Sequence, residues 1–164
     1  DGFAAARHLH GWGYPLRLLL TGRLTQLREE PATYATILQR LGLSILELTE
    51  STLFAHVDRA LEECGLIVDA LLGIGARGMV REPMASLIAR LNRAGKPIVA
   101  VDLPSGLDGD TGLVQGIAVK ATVTVALGLP KRGCVTPEGL AHVGSLTVDP
   151  ITIPQTVLEP SSRP

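Results

Sequence analysis

Six short apolar runs, spaced at the length of one strand–helix–strand unit, constrain this chain more than any other feature. They are Leu16–Leu20, Ser44–Leu48, Leu66–Leu71, Pro97–Val101, Ala121–Leu127 and Ser145–Val148, so successive starts fall 28, 22, 31, 24 and 24 residues apart. The runs are continuous rather than alternating, the pattern of strands covered on both faces. The intervals carry helical stripes of period 3.6. Tyr34, Ile37, Leu38 and Leu41 form one, with Pro31 near its start and Gly42 past its end. Met84, Leu87, Ile88 and Leu91 form another between Pro83 and Gly95, Phe54, Val57 and Leu61 a third ended by Gly65, and Ala5, Leu9 and Trp12 a fourth ended by Gly13. Parallel strands need such crossover connections. The expectation is an α/β fold: an open, doubly wound, mostly parallel sheet with helices on both faces, in three α/β/α layers.

Composition removes several classes of function. With Lys+Arg 15 against Asp+Glu 16 and a pI near 6.5, the chain lacks the basic excess of a nucleic-acid or membrane-surface binder. At 46% apolar and 19% charged it is too apolar for a disordered segment. The longest apolar stretches are broken by Asp69 or by Pro and Gly before they reach the roughly 18 residues of a membrane span. Two cysteines, Cys64 and Cys134, make no disulfide scaffold and suit a reducing cytoplasm. Past Asp149 periodicity is lost and prolines recur at 150, 154, 160 and 164, so residues 155–164 read as a tail or linker after one domain over 1–154.

In a sheet of this kind ligands bind outside the carboxyl ends of the strands. Two carboxylates fall there. Asp69 follows Leu66-Ile67-Val68, and Asp102 ends Ile98-Val99-Ala100-Val101. A carboxylate in an apolar run is costly unless it is paired, hydrogen-bonded or bound to a cation. The plainer reading of each is a strand-end Asp that caps the following loop or pairs with an Arg. After Asp69 comes Gly73-Ile74-Gly75-Ala76-Arg77-Gly78, a match to the phosphate-cradling G-x-G-x-x-G pattern. The helical stripe starts only near Pro83, however, so the loop reads as a wider glycine-lined wall. The stretch from Leu103 to Gly112 starts a long segment without helical pattern, and loops of that length are usually functional or disordered. Its Asp108 and Asp110 do not make a calcium loop, because Val119 and Lys120 stand where the terminal Glu would be. Ser105 lacks the G-x-S-x-G elbow of a hydrolase nucleophile. His8, His10, His56 and His142 lack zinc spacing. Lys131, after a strand end, reads as a phosphate-attracting cation or as half of a solvated basic pair with Arg132.

These residues together resemble the NAD(P)H-hydrate epimerase family, the YjeF N-terminal domain. The matching motifs are Val68-Asp69-Ala70-Leu71-Leu72-Gly73, the glycine loop through Gly78 to Arg81-Glu82-Pro83, Val101-Asp102-Leu103-Pro104-Ser105-Gly106, Asp108 to Gly112, and Leu129-Pro130-Lys131. Single pieces are common; the ordered series, with 33 residues between Asp69 and Asp102, is specific. The resemblance implies a Rossmann-like fold and an isomerase that interconverts the R and S forms of hydrated NADH or NADPH, so that a dehydratase can repair one of them. It implies a bound potassium ion with Asp69 and Ser105 as ligands. It also implies substrate contacts at Asp1, Gly73, Ile74, Gly75, Ala76, Arg77, Gly78, Met79 and Asp102, with Asp102 the catalytic candidate.

The family carries a strand and an Asn-Asn-Gly-Gly-Asp-Gly loop ahead of the first helix, whereas this sequence opens on Asp1-Gly2, matching only that loop's last two residues. The expectation is therefore a fragment of a longer protein, which a dehydratase, fused or separate, would complement; whether it forms a homo-oligomer stays open. Two other readings compete. An ordinary NAD(P)-dependent oxidoreductase would start a helix inside the glycine loop. A non-catalytic interaction module would have lost Asp69, Asp102 and Ser105.

Overall fold

The six apolar runs become six short strands. In a computed structural model, which describes residues 1–48, 53–154 and 157, every pairing between described strands is parallel. The chain divides into two units, Asp1–Gly65 and Leu66–Pro164.

In the first unit, helix α1 (Gly2–Gly11) precedes strand β1 (Leu18–Thr21), helix α2 (Glu29–Arg40), strand β2 (Ile45–Leu48) and helix α3 (Leu53–Glu63). Strands β1 and β2 pair in register from Leu18 with Ile45 to Thr21 with Leu48. The stripe predicted around Tyr34 and Leu38 lies on α2, with Ala35 and Leu38 fully buried. Asp1 stands at the N-cap of α1, although its side chain makes no capping bond.

In the second unit the order is β3 (Ile67–Asp69), α4 (Met84–Arg93), β4 (Ile98–Val101), β5 (Val123–Leu127), α5 (Pro137–Val143) and β6 (Ser145–Asp149). Its sheet runs β3-β4-β5-β6, so each strand lies beside the next one in sequence. Helix α4 buries Leu87, Ile88 and Leu91, the stripe read from the sequence. At about 1.5–3 kcal/mol for each large apolar side chain removed from water, this face holds the helix in place. Strands β4 and β5 bury alternate residues, with Ile98, Ala100, Thr124 and Ala126 innermost. The expectation of cover on both faces fails for β6, which has β5 as its partner and leaves Ser145, Thr147, Val148 and Asp149 exposed. Among the described residues no helix is long and apolar enough to cross a membrane.

Between Asp102 and Thr122 the chain forms neither helix nor strand, apart from one isolated bridge between Leu107 and Val114. The segment is nevertheless fixed. Leu103, Leu107, Ala118, Cys134 and Val143 pack together as a buried cluster. Two glycines let the backbones meet: a Cβ on Gly133 would lie 2.1 Å from the Asp108 carbonyl oxygen, and one on Gly112 would lie 1.9 Å from Thr136 Oγ1. The long loop is thus clamped onto the short 3₁₀ turn at Arg132–Val135, with Gly133 N–H donating to Gly109 O at 2.7 Å. A 3₁₀ turn there and helix α5 were not expected from the sequence.

Candidate functional site

Because β3 and β4 are parallel neighbours, the loops that leave their carboxyl ends emerge side by side. Asp69 is the last residue of β3 rather than an interruption within a longer strand. It is 1% exposed, as is Ser105 from the loop after β4. The two are joined twice: Ser105 N–H donates to Asp69 Oδ2 at 2.8 Å, and Ser105 Oγ donates to Asp69 Oδ1 at 2.6 Å. Leu71 N–H adds a 3.3 Å bond to Oδ1, and Leu72 N–H donates to Ser105 Oγ at 2.9 Å. All of Asp69's donors are neutral, and among the described residues no cationic side chain pairs with it. Burial pushes the Asp69 carboxyl above its usual range, against the downward pull of the bonds from Ser105 and Leu71. A buried carboxylate without a counter-charge, beside a hydroxyl and the Leu72 carbonyl, is an all-oxygen donor set. That set suits a hard cation.

Asp102 follows β4 and adopts the left-handed region at φ 73°, an unusual position for a residue other than glycine, and one that Asp and Asn tolerate best. Its N–H donates to Val125 O at 2.8 Å. Its Oδ1 accepts the Leu127 N–H at 3.0 Å and pairs with the Lys131 ammonium. Of the two sequence readings of Lys131, the solvated pair with Arg132 is corrected here: the side chain is only 20% exposed and turns inward onto Asp102. Cys134, close to this pair, is fully buried, and burial together with the Asp102 charge pushes its thiol up.

The glycine loop Gly73–Met79 lies open between β3 and α4. A Cβ at Gly73, Gly75 or Gly78 would meet nothing within 4 Å, so the backbone there is free for close approach. Ile74 and Met79 are 64% and 69% exposed. The helix after the loop begins at Met84, six residues beyond Gly78, so the glycines do not open it as in a dinucleotide fingerprint. Beside the loop, Asp108 Oδ1 accepts from Asp110 N, Thr111 N and Thr111 Oγ1, an arrangement that shapes a turn. The second unit therefore gathers Asp69, Ser105, Asp102 and Gly73–Met79 on one edge. Asp1 belongs to the first unit. Two of the histidines have local contacts: His8 lies against Trp12, and His142 Nδ1 bonds Val119 O at 3.1 Å.

Residues 1–133 match the family described as YjeF-related protein N-terminus. The chain belongs to that family. A crystal structure of yeast ynu0 superposes with a TM-score of 0.75 at 27% identity, over 94% of this chain and 62% of that one, and the YjeF-related chain shares its Rossmann-like α/β fold. The bifunctional NAD(P)H-hydrate repair enzyme Nnr of Pyrobaculum aerophilum is 41% identical over 94% of this chain and 30% of its own length. The NAD(P)H-hydrate epimerase of Limosilactobacillus fermentum is 37% identical over 90% of this chain and 67% of its own length. The YjeF-related chain thus spans about a third of the bifunctional relatives it matches.

Proposed function

We propose that this chain interconverts the R and S forms of hydrated NADH and NADPH, and so acts as an isomerase in nicotinamide nucleotide repair. One observation carries the reading: an open glycine loop, an anchored carboxylate at Asp102 and the buried Asp69–Ser105 pair share the carboxyl edge of β3 and β4. The names of the Pyrobaculum and Limosilactobacillus relatives support it.

Inversion at a ring carbon that carries a hydroxyl requires a bond to break on one face and reform on the other. The hydroxyl proton leaves as the bond from that carbon to the ring nitrogen opens to an aldehyde, and the nitrogen takes a proton. Closure on the other face of the aldehyde reverses both transfers. Asp102 is the group we assign to these transfers, as acceptor and then donor. The N–H groups of Gly73–Met79, apart from that of Ala76, which donates to Gly73 O at 3.0 Å, would receive the phosphates of the nucleotide, and Ile74 and Met79 would cover its apolar parts. Asp69, Ser105 and the Leu72 carbonyl would hold potassium, whose positive charge would offset the buried carboxylate. The reading places this activity in the cytoplasm, on residues 1–154, with 155–164 as a tail or linker. The companion activity in this reading is a dehydratase, fused or separate, in keeping with the bifunctional names of the relatives. An oxidoreductase is disfavoured by the start of α4 at Met84, and a non-catalytic module by the presence of all three site carboxylate and hydroxyl residues.

The test is Asp102→Asn in the whole natural protein, following R-to-S conversion of hydrated NADH on a chiral column. Conversion should fall to near the uncatalysed rate. Conversion at the wild-type rate would remove Asp102 from the chemistry.

A further inference from the structure

We propose that Lys131 is a positioning residue for Asp102, holding its carboxylate in the one orientation that presents Oδ2 to a substrate. The inference rests on the epimerase reading above. Oδ1 receives both the Leu127 N–H and the Lys131 ammonium, and the same ammonium donates to Leu127 O at 3.0 Å, closing a small ring of contacts. Among the described residues, no protein group donates to Oδ2. A carboxylate turns readily about its last bond, since that torsion is broad and two-fold. Two donors on one oxygen stop the rotation and leave the other oxygen as the acceptor. The pair is sheltered, with side chains 20% and 14% exposed, so the contact is screened less than one at the open surface.

Lys131 is itself held. Its carbonyl accepts the Cys134 N–H at 2.9 Å at the start of the 3₁₀ turn. A Cβ on Gly109 would lie 3.6 Å from Lys131 Cγ and 3.7 Å from Ile74 Cγ2, so the lysine stem and the glycine loop meet over that glycine. The clamp between the loop after β4 and the 3₁₀ turn therefore ends on the one side chain that orients Asp102. Small errors in placing a reacting group reduce turnover more than binding.

Steady-state R-to-S conversion in the whole natural protein tests this with Lys131→Met and Lys131→Arg. K131M should lower kcat by about tenfold or more with KM within about threefold, the signature of a lost transition-state contribution. K131R, which restores a cation, should recover at least about a third of wild-type kcat. A K131M kcat within about twofold of wild type would overturn the role, as would a raised KM with unchanged kcat, or a K131R no better than K131M. Should K131M fail to fold, Lys131→Gln is the second variant, shorter and uncharged but polar: a lowered kcat at constant KM supports the inference, and wild-type kcat overturns it. A wild-type protein that converts nothing would sink the epimerase reading and this inference together. Activity in the wild type with an indifferent Lys131 would sink the inference alone.

Discussion

Ser105→Ala measures how firmly the two loops are tied at the sheet edge. The hydroxyl donates to Asp69 Oδ1 at 2.6 Å in a buried setting and accepts the Leu72 N–H at 2.9 Å in a half-buried one. A hydrogen bond to a charged acceptor contributes about 1.5–3 kcal/mol, and a buried donor left unsatisfied costs about 1–3 kcal/mol. These losses share one hydroxyl and do not simply add. The Ser105 N–H to Oδ2 bond of 2.8 Å also survives the substitution, so Asp69 keeps a donor. The expected loss is about 3 kcal/mol, set by the two contacts together. The assay is urea unfolding at neutral pH, with m held common to wild type and variant. At an m of about 2 kcal/mol/M the midpoint should fall by about 1.5 M. A loss below about 0.5 kcal/mol, the range of an ordinary surface substitution, would refute the view that this hydroxyl ties the loops.

Glycine substitutions separate packing from binding. Gly133→Ala sets a Cβ 2.1 Å from Asp108 O and should cost at least about 3 kcal/mol by urea unfolding, whereas Gly73→Ala meets nothing within 4 Å and should leave stability within about 0.5 kcal/mol while raising KM for hydrated NADH. Thr136→Ala removes the oxygen that accepts the Gly139 N–H at the start of α5 and should cost about 1 kcal/mol in the same assay. The Thr111 N–H and hydroxyl, with help from Asp110 and Gln115, hold the Asp108 carboxyl below its usual range. Its native state therefore gives up the proton more readily than the unfolded chain does. The stability this supplies is present above the unfolded value of about 3.9 and is lost as pH falls below it. Thermal melts from pH 5 downward should show wild type losing more than Asp108→Asn below about pH 4, and equal losses would refute the assignment. Exchanging potassium for tetramethylammonium should weaken substrate binding in wild type, measured by calorimetry. An unchanged affinity would count against Asp69 and Ser105 as cation ligands.

What the sequence revealed, and what it hid, follows from the range of the interactions involved. All six strands fall inside the predicted runs or within one residue of them, because a continuous apolar run is a local signal. Their ends moved inward where the run continued into a loop. Leu71 and Leu72 extend the β3 run, yet they lie in the turn where their N–H groups reach Asp69 and Ser105. Helix α5 spans seven residues and buries Gly139 and Val143, too little for a stripe. Its signal was Thr136-Pro137 at one end and Gly144 at the other. The pairing of Asp69 with Ser105 spans 36 residues and that of Lys131 with Asp102 spans 29. Only the parallel register, which sets Asp69 beside Ala100 and Val101 beside Val125, brings such partners together. Nothing local in the sequence told Lys131 as a phosphate-attracting cation from Lys131 as half of a solvated basic pair, and neither reading offered Asp102 as its partner.

The left-handed backbone at Asp102 also bears on how this chain can change over generations. Asparagine and glycine are the residues that occupy such a conformation most cheaply besides aspartate, and each is one nucleotide away from an aspartate codon. A single point mutation can therefore extinguish the carboxylate while leaving the chain foldable, abundant and visible to selection as a protein. Glutamate, chemically nearer but backbone-intolerant, is the worse neighbour. Duplicated copies can thus drift toward silent, well-folded descendants by a short route, and the residue at 102 is the first place to look for one.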